Sequence, residues 1–200
     1  MDTIAIIIRA RQSPQVIELF TRICDFEFVE PGVADIGVQL QSRHHPNMIA
    51  QDASGGMFAL CQVNDTGRQP VLYVSSEGEA GIIARDLSAT LQTVIQLPYW
   101  RGCLKFSGGG RLDEMHKAVP YLEHELSQDE PMIDVYRKTL LAALELEPAL
   151  APVEMLYQAV QSTAEICGVI TQDGTALRSL FNTFVVSDNP MWRAMGANHD

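Results

Sequence analysis

Gln51-Asp52-Ala53-Ser54-Gly55-Gly56-Met57-Phe58-Ala59-Leu60-Cys61-Gln62-Val63 is the stretch on which the fold turns. Small residues at 53–56 separate two apolar runs, and Met48-Ile49-Ala50 stands just before them. Glycine adopts positive φ without steric cost, so this pattern predicts a tight turn at Ser54-Gly55-Gly56. The flanking runs, Ile49–Gln51 and Met57–Val63, are then antiparallel strands. Asn64-Asp65-Thr66-Gly67 is a second turn signal, and Pro70-Val71-Leu72-Tyr73-Val74 is a third strand rich in β-formers. Val38-Gln39-Leu40-Gln41 is a short alternating run upstream.

Helical patterns lie on both sides of these strands. Ser13-Pro14 reads as N-cap and first helical residue, with Val16, Ile17, Leu19, Phe20 and Ile23 on one face. Phe26, Phe28 and Val29 begin an extended segment that Glu30-Pro31-Gly32 interrupts. Asp86 or Ser88 caps a helix carrying Leu87, Leu91, Val94 and Ile95, which ends at Pro98. From Asp113 onward the periodicity predicts only helix: Arg111–Leu126 with Pro120 distorting it, Ile133–Leu146, Val153–Ile166 and Ala176–Phe184. Consecutive strands with helices before and after predict an α+β fold, with a mostly antiparallel sheet and an all-helical C-terminal half.

The block from Gln51 to Leu91 resembles the SUKH superfamily, the fold shared by fungal cell-wall-synthesis regulators and many bacterial immunity proteins. The matching features are the glycine-turn hairpin Asp52-Ala53-Ser54-Gly55-Gly56 with its strand Phe58 to Leu60 and the strand introduced by Pro70-Val71. They continue with the turn Ser76-Glu77-Gly78-Glu79-Ala80-Gly81 and the helix bearing Leu87 and Leu91. The helix Pro14 to Cys24 fits more loosely, and the region after residue 111 extends beyond the match. The resemblance implies a SUKH-like domain over 1–110, with 111–200 as a helical extension packed on it or as part of the same domain. It also implies binding in place of turnover: bacterial members are typically immunity proteins that neutralise a cognate toxin.

The net charge of −11, from 14 basic and 25 acidic residues, has the wrong sign for nucleic acid or an anionic membrane surface; it favours a basic protein partner or simply serves solubility. Cys24, Cys61, Cys103 and Cys167 are widely spaced, with no Cys-x-x-Cys pair. They read as buried free thiols in a reducing compartment. The apolar run Ile4 to Ile8 has no basic residue before it and is too short for a leader or a membrane span, so the expected location is cytoplasmic.

No motif carries convincing chemistry. Asp52-Ala53-Ser54-Gly55-Gly56 echoes a serine-protease sequence, but no His motif precedes it to act as base. Adjacent residues of an extended chain point to opposite sides, so His44 and His45 do not share a metal. His116 and His124 miss the spacing of a helical zinc pair and read as surface residues. Ser107-Gly108-Gly109-Gly110 precedes a helix but lacks any phosphate-loop pattern, and Asp113 and Glu114 would repel an anion there. No metal or cofactor is expected.

The expectation is therefore a non-enzymatic protein-binding module, with Glu77, Glu79, Asp52, Ser54, Tyr99 and Trp100 as partner-binding candidates. Acidic loop residues would meet a basic toxin, and Trp and Tyr anchor many interfaces. For Trp100, between Pro98 and Gly102, core packing is the favoured reading over an interface role. Two rival functions stay open: a small ligand-binding or enzymatic domain using the glycine-rich loops 76–81 and 107–110, or a homodimeric adaptor.

Overall fold

The predicted hairpin is present in the computed structural model of the chain, which describes residues 3–30, 38–40, 46–62, 69–166, 169–171 and 173–196. The strands are β1 (Glu27–Phe28), β2 (Val38–Leu40), β3 (Asn47–Gln51), β4 (Met57–Leu60), β5 (Val71–Val74), β6 (Ala80–Ala84) and β7 (Val169–Thr171). Five of them form one sheet in the order β1-β3-β4-β5-β6, every neighbouring pair antiparallel. β2 and β7 form a separate antiparallel ribbon. Gly55 sits in the β3–β4 turn at φ 86°, the conformation that called for glycine. The His44-His45 pair, the turn at 64–67 and Cys167 lie outside the described residues.

The helices are α1 (Thr3–Arg11), α2 (Pro14–Cys24), α3 (Leu87–Gln96), α4 (Trp100–Lys105), α5 (Leu112–Asp129), α6 (Ile133–Ala143), α7 (Pro152–Gln161), α8 (Thr163–Ile166) and α9 (Pro190–Gly196). Their starts follow local chemistry. The Ser13 hydroxyl accepts from the Val16 N–H, and the Asp86 carboxylate accepts from the Ala89 N–H at 2.8 Å. Asp86→Ala should therefore cost about 1 kcal/mol, the usual loss of an N-cap, read as a lower midpoint in urea unfolding. α5 runs through Pro120 without restarting.

The strands alternate between two cores. Phe58, Leu60, Val71, Tyr73 and Ile83 enter a large cluster with the helices, which extends from Ile6 to Trp192. Ala59, Cys61, Leu72, Val74 and Ile82 face the other way, onto Val38 and Leu40 of β2 and Val169 of β7. A register shift between Met48 and Ala50 lets Met48 join the second cluster while Ile49 and Ala50 join the first. The sheet is thus covered by helices on one face and by the β2–β7 ribbon on the other.

Two expectations need correction. The C-terminal half is not all helical: it contributes β7, paired with β2 from near the other end of the chain. Ala176–Phe184 is not a helix either, but an irregular extended strap. Leu177, Leu180, Phe181 and Phe184 have helical spacing, yet the strap's backbone is bonded elsewhere. Arg178 accepts from the Ala80 N–H at 2.8 Å and donates to Gly78 O at 3.2 Å, while Asn182 donates to Leu104 O at 3.1 Å. These partners cannot be reached from a helix closed on itself. Among the described residues, no helix is long and apolar enough to cross a membrane.

Candidate functional site

The glycine turn is built around Asp52, whose side chain has no exposed surface. Its Oδ1 accepts from the Ser54 N–H at 2.9 Å, the Ser54 hydroxyl at 2.6 Å and the Gly56 N–H at 2.8 Å. Its Oδ2 accepts from the Tyr73 hydroxyl at 2.6 Å and from Arg101 Nη1 at 2.9 Å. The other arm of Arg101 is paired with Asp25, which also accepts from the Ala53 N–H at 2.9 Å. One guanidinium therefore ties the end of α2, the hairpin turn and α4 together. This arrangement explains Gly56: a Cβ there would collide with the Tyr73 hydroxyl and the Asp52 carboxylate.

The electrostatics follow from this bonding. Burial alone would raise the Asp52 pKa. Hydrogen bonds from Ser54, Tyr73 and Gly56, with the charge of Arg101, outweigh burial and hold it below the ordinary carboxylate value. Burial, reinforced by the bond to Asp52, pushes the Tyr73 phenol up. Asp52 is an anion at neutral pH with its lone pairs taken, and Tyr73 is a neutral phenol whose proton is engaged.

Above this hub lies a groove of about 410 Å³. One wall is the β5–β6 turn with Ser76, Glu77 and Glu79; another is α4 with Arg101 and Lys105; a third is the strap with Leu180 and Phe184. The turn is held firmly. Ser75 Oγ accepts from the N–H groups of Glu77 at 3.3 Å and Glu79 at 3.1 Å, and Arg178 Nη2 donates to Glu77 O at 2.9 Å. The Glu77 side chain is exposed, whereas that of Glu79 is mostly buried, 3.7 Å from Arg178.

Of the six candidates, Ser54, Glu77, Glu79 and Trp100 line this one groove. Two readings change, those of Asp52 and Tyr99, and for Trp100 the core-packing reading is the one the structure shows. Asp52 is no surface acid but the buried centre of the hub. Trp100 is fully buried and packs on Tyr73 at 4.9 Å and Phe58 at 6.0 Å between ring centroids, so it is a core residue that forms the floor of the groove. Tyr99 lies away from the groove. Its phenol is half-buried against Glu123, which Arg137 holds by a two-pronged ion pair, and burial with that bond raises its pKa. Sequence reasoning missed Arg101, Lys105 and the strap, because nothing local marks residues that meet only through the tertiary fold.

The glycine loop at 107–110 is occupied internally. Gly108, Gly109 and Gly110 all have positive φ. The Gly108 N–H donates to Phe184 O and the Gly109 N–H to Asn182 O, both at 2.8 Å. The Gly110 N–H donates to Ser107 Oγ at 3.2 Å, and the Arg111 N–H to Ser107 O at 2.7 Å. An anion cradle needs free N–H groups, and these four are bonded to the strap and to Ser107. The described thiols are equally withdrawn: Cys24, Cys61 and Cys103 are buried, and burial pushes the Cys103 thiol up to about 12. His116 and His124 are exposed, and His116 lies 3.1 Å from Glu154. Among the described residues, no three His, Cys, Asp or Glu side chains are grouped to hold a metal ion.

Comparison with known proteins returns no match to a family model, a curated protein or a solved structure.

Proposed function

We propose that this chain is a non-catalytic binding protein of the immunity type, which neutralises a cognate basic toxin by binding it. In this reading residues 1–110 are SUKH-like, 111–200 pack on them, and the protein acts in the cytoplasm. The observation that carries the reading is the closed Asp52–Tyr73–Arg101–Asp25 network. The ionisable groups beneath the groove satisfy one another, whereas Glu77 on its turn wall is exposed. Such a site is suited to contact and poorly suited to turnover. The net charge of −11 supports attraction to a basic partner.

The test is to capture the tagged chain from its own host. A stoichiometric complex is expected with a basic protein that arrests growth when expressed alone and is tolerated when this chain is co-expressed. Absence of growth relief by the chain would overturn the reading.

Within such a complex, replacing Glu77 and Glu79 together by Gln should slow association and flatten its dependence on ionic strength. Opposite charges across an interface act mainly on the on-rate, and salt screens them beyond about 8 Å at physiological strength. The Glu77 substitution should cost under about 0.5 kcal/mol of stability, since an exposed turn carries it. Stopped-flow association rates across a salt series decide the matter, and unchanged rates and slopes would remove the turn from the interface.

A further inference from the structure

The charges lining the groove are not all alike in their freedom. Arg101 is committed to Asp25 and Asp52, and Glu79 lies beside Arg178. Among the described residues, Glu77 and Lys105 have no ion-pair partner, and both are exposed. Lys105 Nζ rests over the rings of Phe106 and Phe184, at 5.6 and 5.8 Å from their centroids. The groove therefore presents an available anion on its turn wall and an available cation on its α4 wall, above a floor that includes Trp100 and Leu104. The turn wall is pinned in advance by the backbone and side chain of Arg178, and the strap by the 108–109 amides. The backbone of these two segments therefore needs little ordering on binding, which leaves the Glu77 and Lys105 side chains to be ordered.

We propose that this groove seats a short extended segment of the protein partner that carries both a basic and an acidic side chain. The basic group meets Glu77, the acidic group meets Lys105, and the apolar stems between them lie on Leu180 and Phe184. The volume of about 410 Å³ lies in the range that accepts a small ligand or a few residues of a peptide. The opposed charges fix the direction in which the segment lies, which a uniformly acidic patch would not. The proposal rests on the binding reading above and adds the chemistry of what is bound.

The experiment is an NMR titration of the full chain with the acetylated, amidated tripeptide Lys-Gly-Glu. Two controls replace its Lys or its Glu by Gln. Saturable amide shifts are expected at Ser76–Glu79, Lys105 and Phe184 for the doubly charged peptide, with weaker binding of each control. Glu77→Gln and Lys105→Gln should each weaken the doubly charged peptide by about threefold, the contribution of one exposed ion pair. Each should leave the control that already lacks the matching charge unchanged. Absence of saturable shifts, shifts scattered over the surface, or equal binding of all three peptides would overturn the assignment. If the peptide fails while the chain still forms its complex with a growth-arresting partner, the groove chemistry is wrong and the binding reading survives. If growth relief is also absent, both fall.

Discussion

Asp52→Ala is expected to lower the thermal midpoint of unfolding by about 6–12 °C. The substitution removes the acceptor of five hydrogen bonds at once and leaves the Tyr73 hydroxyl, the Gly56 N–H and one arm of Arg101 without their partner. Removing one member of a buried ion pair costs about 3–5 kcal/mol. The lower end applies because Arg101 keeps 36% of its side-chain surface exposed and can recruit water. For a chain of this length each kcal/mol corresponds to about 2–4 °C. The pH dependence has a definite sign. The folded-state pKa of Asp52 lies below its unfolded value, so its stabilisation is fully present above the ordinary carboxylate range. That stabilisation is lost as the pH falls through this range toward the folded pKa. Wild type should therefore lose more stability than Asp52→Ala between neutral pH and strongly acidic pH. Parallel calorimetric melts test this, and equal losses would mean that Asp52 does not anchor the turn.

Trp100→Ala should be still more damaging, at about 3–5 kcal/mol, the usual range for emptying a buried Trp site. The ring is fully buried between Phe58 and Tyr73, and the Arg101 guanidinium lies 5.2 Å from its centroid. Among the described residues, its indole N–H has no hydrogen-bond partner. Trp100→Phe should accordingly cost much less than Trp100→Ala, since it gives up volume but no hydrogen bond. Guanidinium unfolding of the three proteins reads the difference. If Trp100→Ala were near wild type in stability but defective in binding, the side chain would be an interface anchor after all.

The hairpin was legible because its signal is local: glycine at positive φ in the turn, with an apolar run on each side. β6 was not, since Ala80-Gly81-Ile82-Ile83-Ala84 is buried throughout and shows no alternation to betray it. α1 was hidden in its β-branched residues. Thr3 and the run of isoleucines favour strand locally, and the helix is held by tertiary contacts, with Ile6 and Ala10 buried and Arg9 reaching Leu144 O. The strap was misread for the opposite reason: its apolar residues have helical spacing, but Leu180 and Phe184 line one groove while Leu177 and Phe181 line another. At the candidate site, the sequence singled out Glu77, Glu79 and Ser54 as loop residues. It could not show that Arg101 would reach Asp25 and Asp52, which lie 76 and 49 positions away.

The ribbon on the back of the sheet also sets an order of events during synthesis. Leu72, Val74 and Ile82 belong to the first half of the chain, but their cover includes β7, which ends at Thr171. The 87 residues from Arg85 through Thr171 take about 4–17 seconds to translate at about 5–20 residues per second. For that interval the front of the sheet can recruit α2 and α3 while its back remains incompletely covered. A nascent chain halted before residue 169 would present those apolar side chains to chaperones, proteases and other unfinished copies of itself.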